Sequence, residues 1–238
     1  MKKLLFLLFP IFSYGQATIT AIVTSGNFTT GQSVSFTQTK TVGRLYIVVV
    51  GISNGGGTPA TVALTGTSET WTELGTAGGA LNTTVQARVQ AFRFNCTSTL
   101  INNVTSFTFT GSLDGDWFIV YEITNVLTTG TNGADAIVQV VASNNNSDTN
   151  PTITMASLSG RASVIAVFTN DLNPFNGTVE SGWTEDEDDG FATPNRGGYA
   201  MSRQNTSDNT PSVTVASSSW AGFAIELRAS FRRIIITN

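Results

Sequence analysis

The chain has no histidine, a single cysteine and few charges, with Asp, Glu, Lys and Arg making up only 12% of its 238 residues. Without imidazole there is no Ser-His-Asp or Cys-His catalysis, no His-ligated zinc and no proton sensing near neutral pH. Cys96 has no second cysteine to pair with, so no internal disulfide forms and stability must come from packing. A lone thiol with neither a histidine nor a resolving cysteine reads as a small core residue. Lysine is scarce as well: beyond Lys2 and Lys3 only Lys40 remains. Phosphate backbones demand clustered cations, so nucleic acid is excluded as a partner. No apolar run approaches the about 20 residues of a membrane helix, and no membrane span is expected.

What is present begins with an export pattern. Lys2 and Lys3 precede the apolar run Leu4 to Phe12, and the small residues Ser13 and Gly15 occupy the positions before a cleavage point after Gly15. Residues 1–15 therefore read as a signal peptide, and the expected location is secreted or on the extracellular surface. Without Lys2 and Lys3 the net charge moves from −4 to −6.

Thr, Ser, Asn and Gly dominate the polar set, a composition that suits short strands and tight turns. Alternation of period two predicts strands in the first half near 18–24, 33–39, 44–52, 59–65, 84–94, 104–110 and 116–123. In the second half it predicts 135–142, 151–156, 161–169, 178–184, 197–204, 211–216 and 220–228. Landmarks recur in order: Gly43-Arg44 before Leu45 to Val50 matches Gly160-Arg161 before Ala162 to Val167, and Trp71-Thr72-Glu73 matches Trp183-Thr184-Glu185. Trp117 to Ile123 likewise resembles Trp220 to Leu227. The expectation is an all-β chain of two sequence-similar antiparallel β-sandwich halves, jelly-roll or Ig-like, packed together. Their spans are 16–130 and 131–229, followed by a tail at 230–238.

This succession of apolar strand, Trp-Thr motif, Thr-rich strand and aromatic-Glu-apolar strand resembles the Thr/Gly-rich β-sandwich modules of secreted bacterial surface proteins and phage virion proteins. The resemblance implies a non-catalytic adhesion or ligand-binding protein whose partner is a glycan or a surface protein. A virion fibre, spike or decoration subunit is the alternative, and a polysaccharide-active enzyme the third reading.

Five consecutive carboxylates, Glu185 to Asp189, precede Gly190 and read as an acidic loop. Calcium takes several hard oxygen ligands, so Glu185, Glu187, Asp188 and Asp189 are the candidate metal ligands, against the plainer reading of a solvated acidic turn. No other cofactor is indicated. Asn144 to Asn150 reads as a loop whose amides suit either turn geometry or sugar hydroxyls. Glu122 and Glu226 sit at matching strand ends, which favours structure over a glycosidase pair. The framework tryptophans read as core, whereas Phe175, Phe191 and Tyr199 flank the acidic segment as candidate ligand-stacking aromatics. The tail, with Ile234, Ile235 and Ile236 behind two arginines, could add a strand to a neighbouring copy and make a homo-oligomer.

Overall fold

A computed structural model describes residues 12–14, 16–24, 35–66, 68–99, 103–160, 162–172, 174–192 and 195–233. The side chains of residues 12–14, 191, 192 and 231–233 lie outside that description, as do residues 1–11, 15 and 234–238. The chain is all-β. Its first part holds strands β1 (Phe12–Tyr14), β2 (Thr18–Thr24), β3 (Ser35–Thr37), β4 (Leu45–Ser53), β5 (Thr61–Thr65), β6 (Thr72–Glu73), β7 (Ala80–Asn82), β8 (Ala87–Asn95), β9 (Val104–Thr110) and β10 (Gly115–Thr124). A short 3₁₀ segment, Thr131–Ala136, leads to β11 (Ile137–Asp148), β12 (Ala162–Asn170), β13 (Thr178–Val179), β14 (Thr184–Ala192), β15 (Asn195–Thr206), β16 (Val213–Thr214), β17 (Ser218–Leu227) and β18 (Phe231–Arg233). β18 pairs antiparallel with β1, Phe12 opposite Arg233 and Tyr14 opposite Phe231.

Each half has one large antiparallel sheet. The first runs β2-β10-β4-β8-β6 with β7 also on β8, and the second runs β11-β17-β12-β15-β14. Counted along the chain within each half, both orders are first, fifth, second, fourth, third. Smaller sheets cover the outer faces: β3-β9-β5 in the first half, and β13-β16 in the second, where Thr152 adds a bridge to Ser212.

The continuously apolar β4 and β12 are buried along their whole length because both faces of each are covered. Odd positions of β4 and β10, namely Leu45, Ile47, Val49, Trp117, Ile119, Tyr121 and Ile123, share one core with Ile165, Val167, Ala221, Phe223, Ile225 and Leu227. The two large sheets therefore pack face to face. β4 lies over β12, β2 and β10 lie over β15 and β14, and β7 and β8 lie over β11 and β17. Even positions face outward. Val48, Val50 and Ile52 pack with Phe36, Phe107 and Phe118 under the small first sheet, while Val164, Ala166 and Phe168 pack with Trp183, Trp220 and Met201 in the second half.

Two expected correspondences need correction, the first being that Leu45, Ile47 and Val49 face the shared core while Ala162, Val164 and Ala166 at the matched places face the outer core. Trp117 belongs to the shared core, whereas Trp220 belongs to the outer core of the second half. Strand neighbours one residue apart point to opposite faces, so Trp117 shares its face with Ala221 and not with Trp220. Glu122 and Glu226 each directly precede a shared-core residue, Ile123 and Leu227.

Candidate functional site

The acidic run does not form a loop. Glu185 to Asp189 lie within β14, hydrogen-bonded in register to Met201, Ala200, Tyr199 and Gly198 of β15. A bulge between Glu185 and Glu187 breaks the alternation, so Asp186 and Glu187 both face the first half while Glu185 and Asp188 face outward. The Glu185 carboxylate accepts from Tyr199 Oη at 2.8 Å on the outer face. Asp186 faces the first half and accepts from Tyr121 Oη at 3.0 Å and Ser202 Oγ at 3.2 Å. Asp188 accepts from the backbone amides of Phe175 and Asn176 at 3.0 and 2.9 Å, and Asp189 from that of Gly190 at 2.7 Å. Among the described residues no three acidic side chains gather where they could hold a metal ion. The calcium expectation for Glu185, Glu187, Asp188 and Asp189 is thus replaced by carboxylates that meet protein donors on separate faces.

Burial sets the electrostatics of this strand. It pushes the Asp186 carboxyl up to about 6, against the pull of the Ser202 and Tyr121 hydrogen bonds. Glu187 and Asp188 are raised for the same first cause. β14 is also the outer strand of its sheet, and a charged edge discourages pairing with another sheet.

The stacking aromatics are corrected too. Phe175 and Tyr199 are buried at 1% and 0% exposure, with rings 5.1 Å apart in the outer core of the second half. Tyr199 is a strand residue whose side chain fills that core, and neither ring has a face free for a ligand. Phe191 lies in β14, and its side chain is outside the described residues. Across the described residues the only large hydrophobics counted as exposed are Val42 and Val104.

Glu122 and Glu226 are both held by local donors. Arg44 of the Gly-Arg motif pairs with Glu122, and Tyr46 Oη donates to it at 2.9 Å. Burial, with that carboxylate beside it, lifts the Tyr46 hydroxyl to about 12. Glu226 is fully buried and accepts from Gln139 Nε2 at 2.6 Å, from the Ser159 amide at 2.7 Å and from Ser159 Oγ at 2.6 Å. These donors satisfy it. Cys96 is buried behind Trp71 beside Tyr46 and Phe94, and burial raises its thiol.

A different surface emerges from the docking of the halves. β11 continues through the segment expected as a loop, pairing with β17 as far as Asp148 opposite Ser218. Its last residues, Asn144 to Ser147, are exposed. Asn144 and Asn146 continue the face of β11 that carries Ala142 opposite Phe223, so they reach beyond the shared core at its rim. Asn82 of the first half fixes that rim by donating to the carbonyls of Asn145 and Trp220, both at 2.9 Å, while its own carbonyl oxygen accepts from the Thr84 amide at 2.9 Å. Exposed Thr83 and Thr84 directly follow Asn82 in the chain, and exposed Asn144 and Asn146 flank its acceptor Asn145. Amides and hydroxyls both donate and accept, the pattern that sugar hydroxyls require. The asparagines stand out in the sequence, but nothing in it places Thr83 and Thr84, about 60 residues away, near them. No protein-family model, curated protein or solved structure matches the chain.

Proposed function

We propose that the chain is a secreted or surface-displayed, non-catalytic adhesion or ligand-binding protein built from two copies of one jelly-roll-type sandwich. Its ligand is a glycan held at the rim formed by Thr83, Thr84, Asn144 and Asn146. The duplication reading is supported by the equal strand orders, with the second large sheet lying over the first in reversed order, as a two-fold axis along the strands would place it. The small sheets extend the match, because β3-β9-β5 parallels the Thr152 segment, β16 and β13.

The observation that carries the binding reading is the rim itself: exposed amides and hydroxyls from both halves, on a backbone fixed by Asn82. Strand pairing holds these groups in place before any ligand arrives, which limits the ordering cost of recognition. With no exposed Trp or Tyr among the described residues, recognition rests on hydrogen bonds rather than ring stacking.

A glycan array probed with the purified chain, with calcium and with chelator, tests this reading. Binding that is insensitive to chelator and lost in the Asn144→Ala/Asn146→Ala variant is expected. A folded chain that binds no glycan, or a double variant that binds as well as the parent, would sink it.

A further inference from the structure

Lys40, the one lysine beyond the leader, is buried together with a glutamate. Lys40 lies in the segment before β4, and Glu69 in the β5–β6 connection, where it bridges Gly66. Their side chains are 1% and 0% exposed, and Lys40 Nζ is 2.5 Å from Glu69 Oε1. Lys40 Nζ also donates to the Asn103 carbonyl at 3.3 Å, and aromatic rings line the rest of the site: the Phe36 ring centroid is 5.8 Å from Nζ, and Trp71 stands edge-on to Phe36 at 6.4 Å.

The two oxygens of Glu69 are in different situations. Oε2 accepts from Trp71 Nε1 at 2.7 Å and from Thr105 Oγ1 at 2.8 Å. Among the described residues Oε1 meets no donor at hydrogen-bonding angles, although the ammonium is in contact with it. A relaxed ion pair aligns its N–H bonds with the carboxylate oxygens. Contact without that alignment instead sets nitrogen against the carboxyl group.

We propose that Lys40 and Glu69 condense to an intramolecular isopeptide bond. Attack requires the neutral amine, so the step begins with a proton passing from Nζ to Oε1, its contact partner. The amine lone pair attacks Cδ, and the donors from Trp71 and Thr105 stabilise the negative charge that builds on Oε2. Oε1, carrying the first proton, takes a second from the nitrogen and leaves as water. One N–C bond forms and one C–O bond breaks; ammonium plus carboxylate becomes amide plus water, and no oxidant or cofactor takes part. Groups held in this way react with effective molarities on the order of 10⁵–10⁸ M, which offsets the unfavourable condensation equilibrium in water. The bond clamps the segment before β4 to the connection before β6, in a chain that cannot make a disulfide.

Intact mass spectrometry of the denatured, purified full chain, with its N-terminus read from the same sample, decides the matter. A mass short of the sequence by one water is expected, together with a branched peptide on digestion that joins Lys40 to Glu69 and so excludes water lost elsewhere. Lys40→Arg should restore the full mass, corrected for the substitution. Glu69→Gln should reach the cross-linked mass of the parent, with ammonia leaving in place of water. A folded parent chain of full sequence mass, or one without the branched peptide, overturns the proposal and leaves only an ion pair. The deciding measurement is made on the unsubstituted chain, so a variant that fails to fold does not weaken the test.

Discussion

Gly198→Ala is expected to destabilise the protein far more than a one-carbon change on a strand normally does. The Trp117 ring of β10 is fully buried in the shared core, beside Gly51 of its own sheet and Gly198 of the opposing one. A Cβ at position 198 would lie 2.0 Å from Cε2 of the indole and 2.3 Å from its Cδ2 and Nε1. The indole would have to move, and its hydrogen bond to Thr169 Oγ1 at 3.0 Å would break. Overpacking costs about 1–3 kcal/mol, and a buried polar group left without a partner about the same again, giving a loss of about 2–6 kcal/mol. Urea unfolding followed by tryptophan fluorescence and by far-ultraviolet circular dichroism measures it. The two probes should give coincident transitions, because both halves contribute to one core. In a Trp117→Ala background the slot is empty, and adding Gly198→Ala should cost little, a coupling that a double-mutant cycle reads directly. A loss below about 1 kcal/mol for Gly198→Ala alone, or an equal loss in both backgrounds, would refute the close-approach argument.

The remaining predictions concern groups that looked functional in the sequence. Asp186 has its carboxyl raised from 3.8 to about 6, so the folded state binds its proton more tightly than the unfolded chain does. Its contribution to stability is full below pH 4 and declines as pH rises through about 6. Asp186→Asn should therefore raise stability at pH 7 by about 1 kcal/mol, after allowance for its partial exposure, and change little at pH 4; equal effects at both pH values in denaturant titrations would contradict this. Glu226→Ala removes the acceptor shared by Gln139 and Ser159, and a loss of about 2–4 kcal/mol in thermal or urea unfolding is expected. Phe175→Ala should cost about 3–5 kcal/mol of stability and leave glycan affinity per folded molecule unchanged, as calorimetry would show.

The strands that the sequence announces most clearly are those whose pattern records their burial. The expected 44–52, 104–110 and 161–169 fall on β4, β9 and β12 to within a residue, because an unbroken apolar run or a strict Thr-apolar alternation directly reflects which faces are covered. Two polar segments were misread as loops. Glu185 to Asp189 and Asn144 to Asp148 have low strand propensity, yet β15 and β17 supply a complete ladder of backbone partners that outweighs it. The aromatics Phe175 and Tyr199 were misplaced for the opposite reason, since proximity to an acidic segment says nothing about which face a ring occupies. The rim site was legible only by half: the asparagines stand out in the sequence, but Thr83 and Thr84 join them through the docking of one sheet on another.

The face-to-face packing of the large sheets makes the midpoint of the chain a poor place to cut. A fragment ending near residue 130 would carry Leu45, Ile47, Val49, Trp117, Ile119 and Tyr121 on a bare sheet face. Exposed apolar surface of that extent drives association, and a dyad-like arrangement offers a ready geometry for it. Such a fragment would be a self-adhesive protomer, with a second copy of itself taking the place of the missing half.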